Sequence, residues 1–170
     1  MKNVIKLVLL LAIVSGLSGL CVGYVNSVTE PIINENLIAA EKGNLELMFP
    51  GENFKSLEIK DESGYILGAY EVEGIGTAVK FTCIGYNGSS PVVGLVGFDK
   101  DHKVVDVIAL SQQETKGFGA RVFEEDNIKN LYVSKNADQE FDLLSGATVT
   151  STAMKNCLTA IRTTLVEGGY

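Results

Sequence analysis

A stretch without charge constrains this chain more than any other feature. No residue from Leu7 to Thr29 carries a formal charge, and Leu7 to Val25 are almost wholly apolar. A helix needs about 20 such residues to cross the hydrocarbon core of a bilayer. Lys2 and Lys6 precede the stretch, whereas Glu30, Glu35 and Glu41 follow it, and the next lysine is Lys42. Basic residues stay on the cytoplasmic side of a membrane, so the expected arrangement is a cytoplasmic N-terminus with residues 26–170 outside. Gly16, Gly19 and Gly23 are tolerated in such a helix, and with Ser15 they offer a small-residue face to a partner helix. A cleaved signal peptide is one alternative, with Lys2 and Lys6 as its basic region. The apolar stretch is longer than a signal core, however, and no small-x-small site closes it. A lipoprotein signal ending at Cys21 is another, but Leu20 stands where such signals take a small residue. The expectation is an uncleaved single-pass anchor over residues 7–28 in the cell (inner) membrane.

Beyond the anchor, the pattern first becomes helical and then strand-like. Ser27 or Thr29 suits a cap, Glu30 and Pro31 suit a first turn, and Ile32, Ile33, Leu37, Ile38, Leu45, Leu47 and Met48 supply apolar positions. Pro50-Gly51 ends this segment, so residues 29–50 are expected to form a linking helix between residues 1–28 and a domain at 51–170. Alternation and β-branched content place strands at 54–59, 65–73, 77–86, 91–98 and 103–110. Turns fall at Asp61-Glu62-Ser63-Gly64, Asn87-Gly88-Ser89-Ser90-Pro91 and Asp99-Lys100-Asp101-His102-Lys103. Short successive connections favour antiparallel pairing. Helices are expected at 118–131 and 151–166, the second from Ala153, Met154, Cys157, Leu158, Ile161 and Leu165. The expected fold class is α+β: a twisted antiparallel sheet with helices on one side, behind a single transmembrane helix.

Function classes narrow by exclusion. A net charge of −7, with no basic stripe, argues against nucleic acid as a partner. Cys21, Cys83 and Cys157 are widely spaced and form no C-x-x-C pair, which argues against zinc or an iron–sulfur cluster. Cys83 and Cys157 fall on apolar faces and read as small core residues, although a disulfide between them is open outside the cytoplasm. His102, the only histidine, reads as a solvent-exposed turn residue. Glu124-Glu125-Asp126 reads as a solvated helix face. No catalytic triad or acid–base pair is present in the pattern.

What remains is Asp142-Leu143-Leu144-Ser145-Gly146-Ala147-Thr148-Val149-Thr150-Ser151, a polar turn running into a helix. Unpaired N–H groups and the positive end of the dipole suit a helix start to phosphate. The plainer alternative is a Ser/Thr-rich cap without a ligand.

Asp142-x-x-Ser145-Gly146-Ala147-Thr148 resembles the acceptor motif of the FMN-binding domain family, whose members carry covalent FMN. Upstream, Glu114-Thr115-Lys116-Gly117-Phe118-Gly119-Ala120 resembles that family's glutamate-threonine-x-glycine-x-glycine-alanine segment, with Lys116 and Phe118 where proline and leucine are common. The likeness is to the G subunit of Rnf-type ion-translocating electron-transport complexes, with the C subunit of the sodium-pumping NADH:quinone reductase a related second. It implies FMN esterified through its phosphate to Thr148 by a flavin transferase, with Ser145, Gly146, Ala147, Thr150 and Ser151 around the attachment point. It also implies that Glu114 and Thr115 reach the flavin edge or ribityl chain. Gly117 and Gly119 would let backbone approach the ring, and Phe118 would pack on its face. Lys155, a turn into the helix, is either a phosphate counter-charge or a surface lysine. The implied partners are other membrane subunits of an Rnf-type complex coupling ferredoxin oxidation and NAD reduction to Na+ or H+ movement. Two other readings stay open: a non-redox anchor or assembly subunit, and a stand-alone extracytoplasmic flavin reductase.

Overall fold

The structure is a computed structural model describing residues 2–133, 135 and 139–170, with side chains described for these except at 2–4, 30–38 and 40. It divides into two compact units, Met1–Ala40 and Glu41–Tyr170. Helix α1, Lys2–Met48, supplies all the described structure of the first unit and opens the second.

Within the first unit, Ile5–Thr29 is long and apolar enough to cross a membrane, and its large side chains are exposed. Three of its hydroxyl groups bond back to the helix itself. Ser18 Oγ donates to the Val14 carbonyl at 2.9 Å, Ser27 Oγ to Tyr24 at 2.8 Å, and Thr29 Oγ1 to Val25 at 2.9 Å. These bonds return each hydroxyl proton to the helix that carries it, which suits surroundings without water. They also correct one expectation. Thr29 does not cap a new helix, because its hydroxyl bonds backwards, and α1 stays helical past Pro31.

The second unit is built on five strands paired in sequence order, each antiparallel to the next. They are β1 Phe54–Leu57, β2 Ile66–Val72, β3 Gly76–Cys83, β4 Val92–Asp99 and β5 Val104–Ser111. The turns fall where Gly, Asn and Asp punctuate the sequence. Asp61 Oδ1 accepts from the Ser63 backbone N–H at 2.9 Å, and Oδ2 from that of Ile66 at 2.9 Å, closing the β1–β2 connection. His102 adopts a left-handed φ of 56° in the β4–β5 hairpin and is half-buried rather than solvent-exposed.

Alternation sorts the strand residues into two faces. Val79, Phe81 and Cys83 of β3, with Val92, Val96 and Phe98 of β4, face helix α3, Thr148–Gly168. That helix contributes Met154, Cys157, Leu158, Ile161 and Leu165, all fully buried. The opposite face carries Tyr70, Ala78, Leu95 and Gly97, and it is not bare. A Cβ on Gly97 would meet the Phe49 ring at 2.6 Å and Met48 Sδ at 2.8 Å, so the end of α1 packs there. Leu45 is fully buried in the same region, and Lys80 pairs with Glu41. The sheet is therefore covered on both faces.

The expected helix at 118–131 is interrupted. A short 3-10 helix, Gly119–Phe123, is followed by α2, Glu125–Leu131, with extended backbone at Glu124 between them (φ −71°, ψ 139°). α3 starts at Thr148, three residues before the expected Ser151.

Candidate functional site

Three chain segments converge at one end of the sheet. The first is the exit of β3. The sequence expects this strand to run to residue 86, but it ends at Cys83, because Tyr86 and Asn87 turn aside to a buried carboxyl group. The backbone N–H of Asn87 donates to Glu114 Oε1 at 3.0 Å, and that of Tyr86 to Thr150 Oγ1 at 3.3 Å. The second segment follows β5. Glu114 is only 6% exposed, and the Thr150 hydroxyl donates to its Oε2 at 2.7 Å. The third is α3 itself, to which Thr150 belongs. A single buried carboxyl group thus joins the ends of β3 and β5 to the first turn of α3.

Glycine makes that junction possible. A Cβ at Gly85 would lie 2.6 Å from Glu114 Oε1, and one at Gly119 would overlap Glu114 Oε2 and sit 2.7 Å from Thr150 Oγ1. Between them, Thr115 to Ala120 form a tight turn in which the Thr115 carbonyl accepts from Phe118 (3.1 Å) and Ala120 (3.2 Å).

The start of α3 differs from an ordinary capped helix. No side chain caps it, and its first turn holds no acid. The crowded hydroxyls are used otherwise: Thr150 on Glu114, and Ser151 on the carbonyls of Ala147 (3.0 Å) and Thr148 (3.3 Å). Ser151 Oγ also accepts from the Leu144 backbone N–H at 3.2 Å, which fastens the preceding turn to the helix. Gly146, at φ 82°, reverses the chain there at an angle that side chains resist. Thr148 is left exposed at the first helical position, and its hydroxyl makes no hydrogen bond among the described residues. Unpaired N–H groups and the helix dipole favour an anion at this point.

Thr148 opens on a cavity of about 600 Å³ lined by Tyr86, Thr115, Phe118, Gly119, Gly146, Ala147, Thr148, Val149 and Thr150. That volume falls within the roughly 300–1,000 Å³ of small-molecule sites. Its exposed apolar rim is formed by Tyr86 (72%), Phe118 (63%) and Val149 (55%). Of the residues singled out from sequence, Thr115, Phe118, Gly119, Gly146, Ala147, Thr148 and Thr150 line the cavity. Glu114 and Ser151 lie behind the lining as braces, while Gly117, at φ 77°, and Ser145 are exposed near it without lining it. Lys155 is not at the site: it pairs with Glu140 at 2.7 Å.

Sequence reasoning missed Tyr86, Val149 and Arg121. Arg121 Nη1 lies 3.7 Å from where a Cβ on Gly146 would stand, and its side chain makes no ion pair among the described residues. A cation beside an uncapped helix start strengthens the case for an anion there. The signal was weak, because Arg121 follows the second motif within an apparent helix face. Among the described residues, no group of His, Cys, Asp and Glu is arranged to hold a metal ion.

The class this defines is a small α+β domain with an open, partly apolar cavity ending at a helix start whose surroundings suit an anion. Residues 85–162 match the family model of the FMN-binding domain, which supports that family for this part of the chain. Both motifs and every cavity-lining residue fall inside the match. None of the curated proteins matches the chain. The residues present fit FMN: the apolar rim suits an aromatic ring, and the helix start with Arg121 suits a phosphate. A flavin-binding, electron-transfer role is therefore supported.

Proposed function

We propose that this chain carries FMN joined through its phosphate to Thr148 and relays electrons as an anchored subunit of an Rnf-type ion-translocating complex. One observation carries the reading: an exposed threonine hydroxyl, unbonded among the described residues, stands at an uncapped helix start and opens on a cavity lined by both motif segments. FMN supplies reversible electron uptake. The chain's own work is to hold the phosphate with the first N–H groups of α3 and Arg121, to border the ring with Phe118 and Tyr86, and to keep these parts in register through Glu114.

Ile5–Thr29 serves as the membrane anchor in this reading, with the Lys2 and Lys6 side in the cytoplasm. An ester suits a domain outside the cell membrane, since a dissociating cofactor would be diluted whereas a tethered one keeps its local concentration. A flavin transferase makes the bond, and other membrane subunits donate and accept the electrons.

The test is the intact mass of denatured full-length protein co-expressed with a flavin transferase, followed by peptide mapping. The expected result is a gain equal to FMN minus water on the peptide containing Thr148, absent in Thr148→Val with the fold retained. An unmodified mass, with a transferase that works on a control substrate, overturns the reading and favours a non-redox anchor or assembly subunit.

A further inference from the structure

Flavin binding leaves one pair of reactive side chains unused. Cys83 ends β3, and Cys157 lies on the face of α3 that packs against that strand. They are far apart in sequence, yet both belong to the same core and are 3% and 0% exposed. Cys157 Sγ donates to the carbonyl oxygen of Thr82, the residue before Cys83, at 3.9 Å. Cys83 Sγ lies 3.6 Å from Met154 Sδ, one helical turn before Cys157. Both thiols therefore lie at the same contact between β3 and α3, and the structure records them as unbridged. Cys83 also lines a cavity of about 320 Å³ with Tyr65, Thr82, Ile84, Pro91 and Ala153. Ile84 is 63% exposed, so this cavity opens to solvent beside the residue that follows Cys83.

We propose that Cys83 and Cys157 are oxidised to an intramolecular disulfide that staples α3, the helix beginning at Thr148, to β3. The oxidant is a low-molecular-weight disulfide or the disulfide of a thiol-exchange protein. Cys83, as thiolate, attacks one oxidant sulfur and releases the first thiol. Cys157 then loses its proton, attacks the Cys83 sulfur of the mixed disulfide, and releases the second. Two protein thiols are oxidised, one oxidant disulfide is reduced to two thiols, and the two protons end on those thiols.

The order of attack follows from the surroundings. The interaction with Cys157 holds the Cys83 thiol below its ordinary value, against an opposing effect of burial. The same interaction, with burial, pushes Cys157 up. Cys83 lines the cavity and Cys157 does not, so Cys83 is the sulfur that meets the oxidant first. The bridge would close a chain loop containing both sequence motifs, which restricts the unfolded state most when the loop is long. Its formation in the cell rests on the extracytoplasmic position proposed above, but oxidation of purified protein does not.

The test incubates purified full-length protein in detergent with excess oxidised glutathione, then blocks free thiols under denaturing conditions. The expected product is lighter by two hydrogens, retains one reactive thiol at Cys21, and yields a Cys83–Cys157 peptide. Its Tm should rise by roughly 5–10 °C over the reduced form. Cys157→Ala should stop at a glutathione adduct on Cys83, and Cys83→Ala should give neither adduct nor bridge in the core. Three persistent thiols, a stable glutathione adduct on Cys83 or Cys157 of the unmutated chain, or a bridge to Cys21 would each overturn the proposal. Flavin content of the same samples is read separately, so a failed bridge and a failed flavin assignment remain distinguishable.

Discussion

At the residue scale, the hydroxyl of Thr150 is the most informative group near the cavity. It is fully enclosed, donates to the buried Glu114 carboxyl group, and accepts from the Tyr86 backbone, so three segments meet at one oxygen. Replacing a buried hydroxyl by a methyl removes both bonds and leaves Glu114 Oε2 without its donor. Hydrogen bonds to such groups contribute about 1.5–3 kcal/mol, so Thr150→Val should lower stability by about 2–3 kcal/mol in denaturant unfolding. Thr150→Ser keeps the oxygen and should recover most of that loss. Neither change touches the Thr148 hydroxyl, so attachment of flavin there should persist in folded protein. A Thr150→Val protein as stable as its parent would show that Glu114 finds another partner, and the bracing role would fall. Thr148 and Thr150 carry the same side chain two positions apart, yet one is exposed at the cavity and the other is buried in its wall with its hydroxyl bonded on both sides.

Elements show why part of this was legible in the sequence. Strand positions followed from β-branched alternation, and the turns from Gly, Asn and Asp, because those signals act over a few residues. The premature end of β3 was not legible. Ile84, Gly85 and Tyr86 continue a strand-like pattern, and only Glu114 and Thr150, distant in sequence, draw the backbone away. The same holds for the early start of α3. Its hydroxyl residues look like caps, but tertiary partners claim Thr150, and Ser151 bonds back onto the turn. The cover on the second sheet face was also hidden, since Gly97 reads as a weak strand position until Phe49 and Met48 are seen against it. That cover includes the ion pair of Glu41 with Lys80, whose side chains are 13% and 26% exposed. Burial pushes the Glu41 carboxyl group up, but hydrogen bonds from Lys80 and Asn44 and the Lys80 charge outweigh it, and its pKa falls below the ordinary value. A carboxylate lowered in the folded state stabilises fully above its unfolded pKa and loses that effect as pH falls through the lower, folded value. Glu41→Gln should therefore cost about 0.5–1 kcal/mol near pH 7, and the difference from the parent should shrink below about pH 4. A pH-independent difference in urea midpoints would mean that the loss reflects packing and not charge.

Over the whole molecule, the division at Ala40/Glu41 separates two kinds of chemistry. Residues up to Ala40 include the charge-free apolar helix, whereas Glu41–Tyr170 contains the sheet, α3, the cavity and both motifs. The core also closes within the second unit, because Leu45, Met48 and Phe49 cover the sheet face that α3 leaves open. Cutting at a conventional anchor–domain boundary near residue 51 would remove that cover and expose Tyr70, Ala78 and Leu95 to water. Burying large apolar side chains contributes about 1.5–3 kcal/mol each, so losing Leu45, Met48 and Phe49 is a large fraction of a marginal total. A fragment of residues 41–170 should therefore stay in solution without detergent and unfold in one cooperative transition. A fragment of residues 51–170 should be less stable by several kcal/mol or aggregate. Both can be compared by thermal unfolding, with dye binding to report exposed apolar surface. Equal stability of the two fragments would show that the end of α1 contributes nothing to the core. If only the full chain folds, residues before Glu41 must supply part of what holds the domain together.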